Sequence, residues 1–373
     1  MGKRRRGWLL LCCLLAVLLC GSAGALGAPA GGDQNGAQEG AALTWADEVK
    51  GLDQAPEGYQ EDLDNNVVSI FDAQGLAWFA YQVNEGGRTF AGITVELTGD
   101  IDLAGKQWVP VGNSRFYPSA GSSLASARFS GVFEGNGHRI SGMTINGYQD
   151  PYGELAGLFG HTVDAVIQNV TLEDAAIVLD LQDRPTAETG ARIRTAGLLA
   201  SWIVSTEIEN VTVSGSLSVT LAERFVFSGF GGLVGLADCV MNQKDSVPIP
   251  QEGSAIRHCQ AAQVAITYTG SSGELFPTPV GFGGLVGAQG VLYGADIFFG
   301  SGGGAVNTSL PTTIDSCQVN QLAVTRQASD GSVHEGIGGV IGVARGQVQL
   351  TDCQVTGFQA DIAATMPVHV KDT

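Results

Sequence analysis

The 373-residue chain is short of cations: 19 Lys and Arg stand against 37 Asp and Glu, a formal net charge of −18. Such a chain lacks the basic surface that neutralises phosphates, which excludes nucleic acid as an expected partner. Charged residues of both signs make up only 15% and aromatics only 7%. With a mean hydropathy of +0.14 the chain has apolar surface to bury and does not read as intrinsically disordered. Glycine is the residue in excess: 54 of them, about twice the usual share. No G-x-y period runs through them, so collagen is excluded and tight turns between short strands are expected. The length fits one large domain or two small ones.

Residues 1–28 read as a signal peptide and stand apart from the fold. Lys3, Arg4, Arg5 and Arg6 form its charged start, and Trp8 to Leu19 is an apolar run of 12 residues. That run is too short to span a bilayer comfortably, and Ala23-Gly24-Ala25 supplies a small-x-small cleavage site. Arg5-Arg6-Gly7-Trp8-Leu9 resembles a twin-arginine signal, but the apolar run that follows at once suits ordinary secretion better. Cys20 stands where a lipobox would end. Leu19 before it is too large for that pattern, so a lipid anchor at Cys20, the one membrane contact considered, is the lesser alternative. Removing four cations and no acids leaves 15 minus 37, or −22, on the mature chain. Residues 29–58, rich in Gly, Ala, Gln and Asp, read as a flexible lead-in.

Internal repetition dominates the rest. A small-Gly-apolar-apolar-small block appears as AGLFG at 156–160, AGLLA at 196–200, GGLVG at 231–235 and 283–287, and GGVIG at 338–342. Each is followed by a second block that aligns on Val170, Val211, Cys259, Cys317 and Cys353. From that position apolar residues recur at offsets 0, +2, +5 and +7, as in Val170, Leu172, Ala175 and Ile177. The even steps are short strands, and the odd step between them predicts a bend or bulge. The second copy differs: Leu217 and Val219 come one residue late, and Gly215 is the expected extra turn residue. Aligned positions lie 41, 48, 58 and 36 residues apart, so loops vary while strand blocks do not. Helical periodicity is absent here. Asn-Gly and Asp-Gly pairs (Asn136-Gly137, Asn146-Gly147, Asp330-Gly331) do not fall between the two strand blocks of a repeat, which disfavours a hairpin-built sandwich. The pattern predicts an all-β chain: a parallel β-helix, or solenoid, in which equivalent side chains form core ladders.

Gly-Gly-Leu-Val-Gly followed by an Ile-x-x-Cys-x-Val strand resembles the GLUG motif of bacterial surface and secreted proteins. Asn66 to Ala80, Ile93 to Gly112 and Phe129 to Ile145 are similar to the strand-plus-helix entry and first coils of such proteins, so the resemblance covers about Trp45 to Ile362. It implies a right-handed, single-stranded parallel β-helix, adhesin-like modules, and company with catalytic domains in large exported enzymes. The residues agree: after Asp72, Leu76, Phe79, Ala80 and Val83 lie at helical spacing, a short N-terminal helix placed to cover the open edge. The β-helix is expected over residues 59–362. A C-terminal tail of 363–373 follows, with no evident cap.

The chemical constellations are sparse. Outside the signal the cysteines are Cys239, Cys259, Cys317 and Cys353, too widely spaced for a zinc site. The last three share one ladder position, about 4.8 Å apart if stacked. They read as core packing, with bridged or free thiols both open. His334-Glu335-Gly336-Ile337-Gly338 begins like a zinc-protease motif, but Gly338 stands where the second ligand must be. His138 reads as a turn residue, and Asp174, Asp315 and Asp352 as solvated strand-edge acids. No Asp-Asp pair, calcium loop or phosphate loop exists, and Gly300 to Gly304 lacks the Lys-Ser/Thr of a P-loop. Asn169 and Asn210 match glycosylation sequons but are discounted as core-strand positions. No catalytic, cofactor-binding or metal-ligating residue is therefore nominated, and no cofactor.

The expected function is an exported, non-enzymatic, adhesin-like binding or spacer module, secreted or at the cell surface. Its partner would be a glycan or a host or cell-surface protein, held by loops 178–194, 239–254 and 288–312 on one side of the solenoid. Tyr293, Phe298 and Phe299 are the aromatic candidates there. The alternatives are a polysaccharide-active β-helix lyase or hydrolase, or the N-terminal fragment of a larger adhesin or surface protease.

Overall fold

A computed structural model describes residues 43–113, 127–147, 155–180, 193–221, 227–241, 252–270, 280–290, 307–327 and 335–362. Residues 1–28 and 363–373, Tyr293, Phe298 and Phe299, His334 and His369 lie outside them. No helix among the described residues is long and apolar enough to cross a membrane.

The described chain is all-β with one helix, and its strands pair almost entirely in parallel. From Leu155 onward it makes five passes, beginning at Leu155, Ile193, Phe227, Val280 and Glu335. Each pass lays strands into four sheets in a fixed order. In the second pass these are Ile193–Gly197, Ala200–Val204, Glu207–Glu209 and Thr212–Leu221. Equivalent strands of successive passes pair in register, as Ile167 with Ile208, Ile208 with Ile256 and Ile256 with Ile314. That isoleucine column is fully buried, because alternate side chains of each short strand point inward and stack on their equivalents. The column ends at Leu350, 38% exposed, in the last pass, whose strands pair on one side only among the described residues.

The small-Gly-apolar-apolar-small block marks the turn from the first strand of a pass to the second. Glycine is needed there for close approach. A Cβ on Gly287 would collide with the Phe230 backbone of the preceding pass, and one on Gly342 with that of Phe282. Left-handed residues punctuate the other turns: Asn169, Asn210, His258, Ser316 and Asp352 each have positive φ, one residue before the aligned ladder position. Asn169 and Asn210 are therefore turn residues, joined by an Nδ2–Oδ1 hydrogen bond of 2.8 Å, rather than core-strand positions.

The bend expected between offsets +2 and +5 is present: Asp174, Gln263 and Gln321 are left-handed at the equivalent position of the first, third and fourth copies. The second copy departs in the opposite sense to expectation. Gly215 pairs with Ala175 and Val264, and Leu217 with Ile177 and Ile266, so this copy is one residue shorter at the bend. Only Ser214 lies between the paired positions Val213 and Gly215, where the neighbouring copies have two residues, and Gly215 takes φ +147° beside it.

At the N-terminal end Tyr59–Asp62 and Val67–Ile70 form an antiparallel pair, and Thr94–Leu97 and Val132–Glu134 continue the same sheet in parallel. Between them lies α1 (Ala73–Asn84), capped by Asp72, whose carboxylate accepts from Gly75 N at 2.7 Å. The expected stripe is its buried face: Leu76, Phe79, Ala80 and Val83 are all in the core. Phe79 meets Phe90, Phe129 and Phe133 edge-on or stacked. The core also begins earlier than residue 59. Val49 is fully buried, and the Trp45 indole N–H donates to Leu103 O at 2.9 Å.

Candidate functional site

In the first four passes the turn from the second strand to the third takes a left-handed residue: Asp164, Ser205, Asp238 and Gly290. Asp164, Ser205 and Gly290 are residues common in such turns. Asp238 is different, being the acid buried in the described core. Four donors surround its carboxylate: Ser205 N at 3.1 Å, Ser254 N at 2.9 Å, Ser254 Oγ at 2.8 Å and Thr312 Oγ1 at 2.5 Å. Desolvation pushes its pKa above the usual carboxylate value, against the pull of these bonds. The donors come from three successive passes, so this one carboxylate ties them together.

Ser205 and Ser254 also line a groove of about 540 Å3 that crosses four passes. Its walls are backbone and short polar side chains, with Asp164, Glu207 and Glu252 against one cation, Arg257, which pairs with Glu207. Successive passes are about 4.8 Å apart, so the groove repeats hydrogen-bonding groups at that interval. It suits an extended ligand laid across the passes.

The three long loops do not leave from one place. Loops 239–254 and 288–312 both join second to third strands, and their described ends meet: Cys239–Met241 pairs antiparallel with Asn307–Ser309. Glu252, Gly253 and Pro311 bring both loops to the groove. Loop 178–194 instead joins the fourth strand of one pass to the first strand of the next, a different junction. The described ends of two of the loops thus reach the groove, while those of the third leave from a different junction rather than from the same side.

The other nominated residues fall into structural settings. Cys259, Cys317 and Cys353 stack as expected and are free thiols, as is buried Cys239. Cys259 N donates to Cys317 Sγ at 3.4 Å, and the neighbouring Cys317 thiol together with burial holds the Cys259 thiol well above its ordinary pKa. His138 sits beside a turn with Nδ1 3.2 Å from Asp100 Oδ1. Asp174 and Asp352 are exposed left-handed residues, and Asp315 ends the strand Thr312–Asp315. Among the described residues no group of three His, Cys, Asp or Glu is placed to hold a metal.

Two features escaped the sequence reading. Asp238 looks like any turn acid, although its alignment with Asp164 and Ser205 would have flagged the position. His161 is buried and stacked on Trp202, its partner in register, with ring centroids 4.1 Å apart. Burial, with Arg128 nearby, drives its pKa down to about 3, so it is neutral.

No protein-family model matches the chain, and no curated protein matches it. Among solved structures it is similar to a Bacteroides ovatus protein provisionally assigned as an immunoglobulin A1 protease. The identity is 15%, the match covers 81% of this chain and 76% of that one, and the TM-score is 0.41. A likeness at that level assigns no activity.

Proposed function

We propose that the chain is an exported, non-enzymatic, adhesin-like binding module. In this reading it is a right-handed, single-stranded parallel β-helix of the GLUG type that binds a glycan or a host or cell-surface protein. The observation that carries it is the groove across four passes, where two long loops converge on repeating polar groups. The in-register parallel pairing of equivalent strands supports the β-helix. Asp238 is consistent with a scaffold role, since its carboxylate is occupied by four internal donors.

The test is retention of the full chain on arrays of glycans and matrix proteins, beside Thr313→Trp, which fills the groove, and deletions of 242–251 and 291–306. The account expects retention by one ligand class and its loss in the groove-filled and loop-deleted chains. No retention, or a calcium-dependent fall in polysaccharide viscosity on adding the protein, would sink it.

A further inference from the structure

Cys259, Cys317 and Cys353 stand at one position of three consecutive passes, where the first two passes have Val170 and Val211. Valine fills the same place, so packing alone does not call for sulfur there. Cys317 and Cys353 are neighbours across the ladder: Gln318 pairs with Gln354, and Gln354 N donates to Cys317 O at 2.9 Å. Neighbouring strands lie about 4.8 Å apart, inside the roughly 4.4–6.8 Å between Cα atoms that a disulfide spans. Both side chains turn inward, Cys317 fully buried and Cys353 packed against the core. The Cys353 sulfur leans onto the preceding pass, 3.6 Å from Ile314 O.

The two thiols differ in access and in state. Cys353 belongs to the last pass, whose strands pair on one side only among the described residues, and it is the one ladder cysteine that is half-buried rather than buried. An oxidant therefore reaches the ladder at Cys353. Burial holds that thiol above its ordinary pKa, so its first reaction is the slower of the two. Cys317 lies beneath it, out of solvent. The Cys259 thiol, and the Cys259 N–H 3.4 Å from the Cys317 sulfur, favour the Cys317 thiolate and draw its pKa below the ordinary value against burial. An accessible thiol thus sits over a buried one that is readied to attack it.

We infer that Cys317 and Cys353 form a modification site, a pair that closes to a disulfide on meeting a low-molecular-weight disulfide. The Cys353 thiolate attacks one sulfur of that oxidant, forming a mixed disulfide and releasing one small thiol. The Cys317 thiolate then attacks Cys353 Sγ and expels the second. Two protein thiols are oxidised, one external disulfide is reduced to two thiols, and the two protons pass to them. Cys259 takes no part, because Cys317 stands between it and the accessible end of the ladder. The bond ties the last pass to the one before it over an interval of 36 residues, fastening the pass that is held on one side only. Where this happens rests on the export reading, since exported chains meet such oxidants; the chemistry does not.

The test treats the folded full chain with millimolar oxidised glutathione, blocks the remaining thiols, and maps peptides without reduction. Cleavage at acidic residues separates Cys259 from Cys317, at Glu274 and Asp296. The parent should yield a peptide bridged between Cys317 and Cys353, with Cys239 and Cys259 still reduced. Cys317→Val should stop with glutathione on Cys353, and Cys353→Val should leave Cys317 reduced; valine is the residue of the first two passes at this position. Proteolysis within residues 335–362 should be at least about tenfold slower in the bridged chain than in the reduced one. Should Cys317→Val fail to fold, Cys353→Val, at the half-buried position, and the parent map decide. A bridge between Cys259 and Cys317, glutathione that stays on Cys353 of the parent, or thiols left unreacted in the folded chain would overturn the assignment.

Discussion

At position 238 a carboxylate lies inside the core with donors from three passes aimed at it. Asp238→Ala leaves those donors without an acceptor, and the account expects a loss of about 3 kcal/mol in urea-denaturation stability; a loss under about 0.5 kcal/mol would contradict it. His161 makes the pH-dependent counterpart. Its pKa in the fold, about 3, lies below the ordinary histidine value of 6.5, so folding favours the neutral ring. Its contribution is full above pH 6.5 and is lost as pH falls toward 3, because the unfolded chain takes up the proton first. The slope should be about 1.4 kcal/mol per pH unit over that range, and His161→Phe, which keeps a ring on Trp202, should lack it. Equal slopes in parent and variant would refute this. Neither residue was legible in the sequence. Polar turn residues look alike until the fold decides which are covered.

Strands and turns were more readable, because an apolar residue's burial is a local consequence of pleat and period. The stripe of α1 and the strand blocks of the passes fall where their spacing puts them. The bend in the second copy did not. Counting apolar residues cannot tell an inserted residue from a deleted one when the glycine between them has no side chain to align, and Gly215 proved to be a shortening. The repeated glycines carry a sharper expectation. Gly287→Ala and Gly342→Ala force a methyl into the backbone of the neighbouring pass, and each should cost about 1–3 kcal/mol or more. Gly99→Ala, where the nearest atom to the new methyl is 3.6 Å away, should change stability by less than about 0.5 kcal/mol. Chemical denaturation of the three variants separates a packing requirement from a mere preference for flexible turns, which would make all three alike.

For the whole molecule, the abundance of glycine and the scarcity of cations fit one scheme: close-packed passes inside, and an excess of acid carried largely on turns and loops. The all-β, parallel character was legible because repeats at variable spacing leave few other solutions. Where the loops emerge was not, since their junctions depend on how many strands each pass holds. The groove depends on successive passes stacking in register as a β-helix. The direct test is a pulsed electron-resonance distance between spin labels in a Thr171→Cys, Gln354→Cys chain with Cys353→Val to remove the half-exposed native thiol. These two positions are linked by four register steps, Thr171 to Thr212, Gln260, Gln318 and Gln354. At about 4.8 Å per step the backbone separation should be about 19 Å, giving one narrow distribution near that value once label length is allowed for. A distribution centred beyond about 40 Å would contradict the stacked architecture.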